Sequence, residues 1–197
     1  MAHRFLDLAF TPEVLAAQQH YHGRSQTLPP SVEDDVLGPH EIEFIQRRDS
    51  FYLASVSSTG WPYVQHRGGP PGFLRVLASG DLVFADLQGN RQMLTTGNVA
   101  TNDRVCLFLM DYPRRERLKI LGHASVLDAR AHPDLVEAIV PKGSEKAVGR
   151  LVRIHVVGFD WNCPKYITPR FTASEVEAVV GPLKARIAEL EALLGKK

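Results

Sequence analysis

The chain has 197 residues, of which 44% are hydrophobic and 23% charged, with a formal net charge of +1. This length fits one domain with a sizeable core, and the balanced charge lacks the positive field of a nucleic-acid-binding protein. No apolar run reaches the about 18 residues of a membrane span, and the first residues do not continue as a signal peptide. The sequence therefore predicts a cytoplasmic protein with neither nucleic acid nor membrane as a partner.

The first 39 residues are predicted to form a helical and irregular arm. A helix is expected from Thr11 to His22, with Thr11 as its cap and Pro12 at its first position. Glycines and prolines then interrupt the pattern up to residue 39. A short helix over residues 40–48 opens the central domain, which is expected to span residues 40–171.

Strand-like alternation begins at residue 51 and recurs up to residue 159. The connections are too short for repeated βαβ crossovers, so the strands should run antiparallel. The sequence predicts a mainly β, α+β fold: a six- to seven-stranded antiparallel split β-barrel with peripheral helices, whose closure would remove exposed strand edges. The predicted strands are 51–56, 63–67, 73–78, 82–85, 104–110, 118–127 and 151–159, with helices at 91–96 and 133–140.

The last 26 residues, 172–197, are predicted to form an amphipathic helix. Thr172 and Glu175 have the spacing of a capping box, and apolar residues then recur every three or four positions. Gly181 and Pro182 are expected to kink or split this helix. Its apolar stripe is expected to pack on its own domain or on a partner subunit.

One junction between strand and helix has the features of an anion site. Asn90, a favoured capping residue, precedes Arg91 after the apolar strand 82–85, and a helix start there would expose backbone N–H groups. The glycine-rich segment 66–73 brings Arg67 and Arg75 toward the same neighbourhood. Either the segment is a turn with incidental arginines, or it helps to hold a phosphorylated ligand.

Other catalytic patterns are weak or missing in the sequence. No HxxxH or HExxH motif occurs, so no metal site is predicted, and no GxSxG nucleophile motif occurs. The two cysteines form no CxxC pair and are expected to be reduced thiols. The aromatic segment 159–171 is predicted either to cap the barrel or to contact a planar cofactor through Trp161, Lys165, Tyr166 or Arg170.

Several of these segments resemble a known family when taken together. They are 60–77, 86–91, 104–109 and 118–124, and they include the Arg-Gly-x-Pro-Pro-Gly-Phe motif at residues 67–73 and Gly-Asn-Arg at 89–91. In this order and spacing they resemble the FMN-binding proteins related to pyridoxamine 5'-phosphate oxidase, over roughly residues 40–171. The resemblance implies a split-barrel homodimer with FMN in clefts between the subunits.

The resemblance also implies positions for the cofactor. The FMN phosphate is expected near Arg91 and one of Arg67 or Arg75, with Asn90 and Gln92 nearby. The isoalloxazine ring is expected against the strand that contains Phe73, Leu74, Arg75 and Val76. Lys165 and Tyr166 are expected to close the cleft, from the same subunit or from the partner subunit.

The chain also departs from the oxidase itself. It lacks the lysine at the end of the strand 73–77 and the arginine–histidine pair near the C-terminus, which grip the substrate's phosphate in that enzyme. The expected function is therefore an FMN-dependent oxidoreductase for another small substrate, with no catalytic residue assigned. Two alternatives stay open: a flavin-binding module for storage or redox sensing, and a split barrel that binds haem or a deazaflavin.

Overall fold

The computed structural model describes residues 4–27, 29–87, 91–140, 148–161 and 164–195. The chain divides into two compact units. The first unit comprises Met1–Met110 and Arg117–Asn162, and the second comprises Asp111–Glu116 and Cys163–Lys197. The first unit contains most of the sheet and the candidate site described below.

Seven antiparallel strands form one sheet, which confirms the predicted number and direction of strands. The strands are β1 Ser50–Val56, β2 Pro62–Gly68, β3 Arg75–Val76, β4 Leu82–Leu87, β5 Arg104–Asp111, β6 Glu116–Asp128 and β7 Val148–Trp161. Their order in the sheet is β2-β1-β5-β6-β7-β4-β3. The strands β1 and β2 pair along their whole length, with Phe51 opposite Arg67, so they form the predicted hairpin.

The sheet is strongly curled but open. Within the described residues, β2 and β3 are its two ends. The ring of Phe51 on β1 nevertheless lies 5.3 Å from the ring of Phe84 on β4, although β5, β6 and β7 separate these strands in the sheet. The expectation that closure removes every strand edge is therefore wrong, and the fold is that of a split barrel.

The main hydrophobic core fills the inside of this curl. Strand β5 is an example of how the strands form this core. Its residues alternate between buried and more exposed positions, because successive side chains of a strand point to opposite faces of the sheet. Leu107 and Leu109 on β5 are fully buried, as are Leu53 on β1 and Ile154 on β7. Burying these side chains on one face of the curled sheet fixes its register, since a slip by one residue would turn them to solvent.

Five of the six α-helices in the described ranges correspond to predicted helices, and α1 was not predicted. The helices are α1 Arg4–Ala9, α2 Pro12–His22, α3 Pro39–Gln46, α4 Leu94–Thr101, α5 Pro133–Ile139 and α6 Ala173–Leu194. The side chain of Thr11 accepts the N–H of Val14 as expected of a cap. Of the kink or split expected at Gly181 and Pro182, the split is wrong because α6 continues through Pro182, and the capping box of Thr172 and Glu175 is confirmed.

Two further elements differ from the sequence prediction. Strand β3 contains two residues rather than the six predicted, because a turn bond joins the Phe73 N–H to the Pro70 carbonyl and Leu74 enters the core. Helix α4 begins at Leu94 rather than at residue 91, because Arg91 and Met93 have φ angles of 61° and 57° in the left-handed region.

The start of the chain is fastened to the sheet by one carboxylate. Asp35 accepts the backbone N–H groups of Arg4 and Phe5 at 3.2 and 3.4 Å and that of Phe159 on β7 at 3.1 Å. The approach requires a glycine at 158, since a Cβ there would lie 2.6 Å from the Phe5 nitrogen. No helix in the described ranges is both long and apolar enough to cross a membrane.

A histidine fastens the segment before α3 to the same sheet. The Nδ1 of His155 lies 3.0 Å from Asp81 Oδ1, and its Nε2 lies 2.9 Å from Asp34 Oδ2. Hydrogen bonds with Asp34 and Asp81 raise the pKa of His155 above its ordinary value of 6.5. Burial acts to raise the pKa of Asp81, but hydrogen bonds from Arg153 and His155 outweigh it and lower that pKa.

This arrangement predicts a pH-dependent contribution to stability. Because the pKa of His155 is higher in the folded chain, the stabilisation is fully present below pH 6.5 and is lost as the pH rises through the raised value. We expect the difference in free energy of unfolding between wild type and His155→Gln to shrink from about pH 6 to about pH 9. Urea unfolding at several pH values measures it, with the exposed His20→Gln as control. A difference that stays constant with pH would contradict the assignment.

Candidate anion-binding site

A cavity of ≈ 390 Å³ lies between the end strand β2 and the strands β4 and β7. This volume falls in the range typical of small-molecule sites. Alternate residues of a strand point to one face, which is why Tyr63, Gln65 and Arg67 of β2 all face the cavity. The remaining walls are Asp86 and Leu87 of β4, Gly149 and Arg150 of β7, and residues 91–96.

A single buried carboxylate joins the strands around this cavity. Arg67 Nη1 donates to Asp86 Oδ1 at 2.5 Å. Arg150, directly opposite Asp86 in the β4/β7 register, donates from Nε and Nη2 to Oδ2 at 3.1 and 2.9 Å. Because Arg67 lies on the end strand β2, these bonds tie one end of the open sheet to the strands near its other end.

The charges around the cavity favour a doubly negative ligand. Arg67, Arg91 and Arg150 contribute three positive charges and Asp86 one negative charge, so 3 − 1 leaves a net charge of +2. A phosphate monoester carries about −1.5 to −2 at neutral pH, which matches this value. The Nε of Arg67 is buried and has no hydrogen-bond partner within the described ranges.

The beginning of α4 completes the wall. Met93, Leu94, Thr95 and Thr96 line the cavity, so the first turn of the helix, at the positive end of its dipole, lies beside it. The Thr95 hydroxyl donates to Gln65 Oε1 at 3.0 Å, which fixes the helix start against β2. The left-handed backbone at Arg91 and Met93 is a strained conformation for such residues, of the kind that occurs at functional sites.

The structure brings only some of the predicted cofactor residues together. Arg67, Arg91 and Gln92 line the cavity. Asn90 lies outside the described residues. Four other predicted residues of the first unit do not line the cavity: Phe73, Leu74, Arg75 and Val76.

Those four residues belong to a different part of the first unit. Phe73 stacks on Phe51 with ring centroids 5.6 Å apart, and Leu74 is fully buried in the core. Val76 also packs against the core, whereas Arg75 is exposed. Of the two arginines considered for the phosphate beside Arg91, the cavity therefore contains Arg67 and not Arg75.

Lys165 and Tyr166 belong to the second unit. They form part of a short 3-10 turn, Pro164–Tyr166, where the Lys165 ammonium lies 5.5 Å from the Tyr166 ring centroid. Tyr166 is 87% exposed. Both side chains are therefore available for contacts, and their expected role in closing the cleft stays a prediction.

Four residues that shape the cavity were not predicted as site residues: Gln65, Asp86, Thr95 and Arg150. Asp86 lies in the segment 86–91, but no neighbouring residue in the sequence indicates that its carboxylate pairs with two distant arginines. Arg150 lies 64 positions away in the sequence. Only the curl of the sheet brings it into contact, so no spacing motif could have revealed it.

Chemistry other than anion binding has little support in the described ranges. They contain no group of three or more His, Cys, Asp or Glu side chains placed to share a metal ion. Burial raises the pKa of the Cys106 thiol, which leaves it a poor nucleophile. Cys163 lies outside the described residues.

These features define a class of protein: an antiparallel split barrel with an arginine-rich anion cavity at the opening of its sheet. Residues 39–159 match the family model described as pyridoxamine 5'-phosphate oxidase. Because the match covers more than half of the chain, the protein belongs to that family, whose split barrels bind a flavin or a related cofactor. No curated protein matches the chain in sequence.

Solved structures resemble the chain at low sequence identity. A conserved hypothetical protein from Mycobacterium tuberculosis has 12% identity and a TM-score of 0.50, covering 74% of this chain and 97% of its own. A putative pyridoxamine 5'-phosphate oxidase from Lactobacillus delbrueckii has 18% identity and a TM-score of 0.49, covering 64% and 93%. HupZ from Group A Streptococcus has 12% identity and a TM-score of 0.49, covering 64% and 98%. At these identities the similarity concerns the fold alone.

Proposed function

We propose that the protein binds FMN, with the phosphate in the arginine cavity, and acts as an oxidoreductase on a small substrate. The observation that carries this proposal is a cavity lined by three arginines and one buried carboxylate, of which Arg67 and Arg150 bind the carboxylate and Arg91 lines the wall. This set leaves a net positive charge suited to a phosphate monoester. Membership of the pyridoxamine 5'-phosphate oxidase family supports a flavin as the phosphorylated ligand.

Each side chain has a distinct task in this proposal. Arg67 presents its guanidinium from the end strand β2, and Arg150 is held with its guanidinium against Asp86 beside the cavity. Arg91, on the exposed connection before α4, adds the third cation. Bound FMN would supply the redox chemistry, while the protein anchors it and orients its ring.

We also propose that the protein forms a homodimer with FMN in a cleft between the subunits, and that β2 contributes to the subunit contact. The end strand β2 has an outer face with exposed apolar side chains, including Val64 at 59% exposure, next to Trp61 at 76%. Tyr52 of β1 extends this patch and contacts His66. Burying such a patch against a second copy would be favourable. Lys165 and Tyr166 are proposed to reach the cofactor of the partner subunit.

The absorbance spectrum of the purified protein, followed by heat release and chromatography of any chromophore, tests the cofactor. FMN in the released fraction supports the proposal, whereas a Soret band would assign haem and a released deazaflavin would replace FMN. A colourless protein that also fails to bind added FMN would refute flavin binding. Reduction of the bound flavin by NAD(P)H supports an oxidoreductase, and its absence with all donors tested favours a storage or sensing module.

A pair of arginine variants tests the position of the phosphate. We expect Arg91→Ala to weaken FMN binding about ten- to hundredfold, because a charge-assisted contact contributes roughly 1.5–3 kcal/mol. The matched control is Arg75→Ala, since Arg75 is an exposed arginine that does not line the cavity. Fluorescence titration with FMN measures both affinities. Equal losses in the two variants would show that the phosphate does not lie in this cavity.

A further inference from the structure

The helix α6 carries an apolar stripe that is not buried within the part of the chain that the structure describes. None of its residues is buried, and Leu183, Ile187 and Leu194 are 59%, 56% and 72% exposed. Soluble chains rarely leave a continuous stripe of this kind in water. The six residues of the stripe are separated by four, three, four, three and four positions: Val176, Val180, Leu183, Ile187, Leu190 and Leu194.

This alternation of three and four is the heptad repeat of a coiled coil. Val180, Ile187 and Leu194 occupy the a positions, and Val176, Leu183 and Leu190 occupy the d positions. β-Branched residues at a combined with leucine at d favour two parallel strands over three or four. The two central heptads follow this preference, which points to a second copy of the same helix as the partner.

The charged residues beside the stripe support the same partner and orientation. In a parallel pair, a g residue faces the e residue five positions later in the other helix. Arg186 is a g residue and Glu191 is the e residue five positions later, so two copies would form this ion pair twice. In the single chain, Arg186 contacts Glu189 of its own helix at 2.8 Å, and both side chains are more than 60% exposed. Such an exposed ion pair contributes little, so Arg186 can pair with Glu191 of the other copy instead.

The other flanking positions are compatible with this register. Val179 at g would face Lys184 at e, whose aliphatic stem can cover an apolar side chain. Gly181 and Pro182 occupy the b and c positions and face away from the seam. Pro182 therefore weakens one turn of the helix without interrupting the contact surface.

We propose that α6 pairs in parallel with α6 of a second copy as a short two-stranded coiled coil. The two-fold axis of such a pair runs along the seam, so a closed dimer results. A seam of three heptads is short, and its contribution grows when other contacts already hold the two copies together. The proposal does not depend on the identity of the cofactor.

Cysteine cross-linking in the full-length chain tests the seam directly, even if the barrels also dimerise. Leu190→Cys places a thiol at a d position, and Ala192→Cys places one two residues away at the outward f position. In a glutathione redox buffer we expect Leu190→Cys to form the disulfide-linked dimer at least about tenfold faster than Ala192→Cys. The wild-type chain controls for Cys106 and Cys163. Equal rates in the two variants, or no cross-link in either, would overturn the proposal.

Charge exchange tests the parallel orientation. In the Leu190→Cys background, Arg186→Glu is expected to slow cross-linking, because each new carboxylate would face Glu191 of the other copy. Adding Glu191→Arg is expected to restore the rate of cross-linking. Any repulsion between residue 186 and Glu189 within one helix is the same in both variants, so it does not explain a difference between them. Slowing without restoration would overturn the parallel pairing. Circular dichroism of each variant confirms that α6 is still helical.

Discussion

Replacing Asp86 by asparagine is expected to lower the free energy of unfolding by about 3 kcal/mol, and the melting temperature by roughly 10 °C. The carboxylate is 6% exposed and accepts bonds from both Arg67 and Arg150. An asparagine would leave these two guanidinium groups facing each other without a counter-charge. It would also loosen the contact between β2 and β4, which joins the two sides of the open sheet.

The same variant should respond more strongly to anions. Without the carboxylate, the net charge at the cavity rises from +2 to +3, so inorganic phosphate should stabilise Asp86→Asn more than the wild type. Thermal unfolding at increasing phosphate concentration, at constant ionic strength, measures this response. A smaller response than in the wild type would contradict the assignment of the cavity as an anion site.

Asp103→Asn provides the matched control for the stability measurement. Like Asp86, Asp103 forms an ion pair: its carboxylate lies 3.0 Å from Nδ1 of His123. Both of these side chains are about half exposed. Such exposed pairs contribute about 0–1 kcal/mol. If Asp86→Asn and Asp103→Asn unfolded at the same temperature, the carboxylate of Asp86 would not have the structural role assigned to it.

Truncating Phe84 to alanine is expected to cost about 3–5 kcal/mol of stability. The ring is 1% exposed and packs edge-on against Phe51, which lies across the curl of the sheet. The Arg67 guanidinium lies 5.6 Å from its centroid, so Phe84 also supports the arginine that lines the cavity. Removing the ring should therefore weaken phosphate binding as well as the core.

Two other variants separate these effects of Phe84. Phe84→Leu retains most of the apolar volume but not the aromatic face, and we expect it to cost only about 1 kcal/mol. Tyr21→Ala removes an aromatic ring that is 78% exposed and should change stability by less than about 0.5 kcal/mol. Urea unfolding measures all three. A loss in Phe84→Ala no larger than in Tyr21→Ala would contradict the packing described for the curled sheet.

Much of the local structure could be predicted because it depends on neighbours in the sequence. The hairpin of β1 and β2 follows from alternation around a turn, and Gly60 in that turn adopts a φ of 85° that suits glycine. The caps at Thr11 and Thr172 likewise depend on residues within one turn of helix. In each case, short-range hydrogen bonding and steric restriction are sufficient.

The predictions failed where distant contacts changed the local outcome. Residues 73–78 have the composition of a strand, but Phe73 and Leu74 contribute to the core and leave two residues in the sheet. Residues 91–93 were expected in a helix, yet two of them adopt left-handed backbone beside the cavity. Packing energy between distant segments exceeds the small propensity differences on which such predictions rest.

The sequence by itself determined most of the strands, the direction of their pairing and the capped terminal helix, and it selected Arg67 and Arg91 as candidates. Only the tertiary structure decided that the sheet stays open, and that Arg150 joins Arg67 at Asp86 while Arg75 does not line the cavity. The reason is physical: residue types and their spacing set the local backbone, whereas the curl of the sheet depends on the packing of the whole core. That curl brings residues 64 positions apart within hydrogen-bonding distance and creates the cavity.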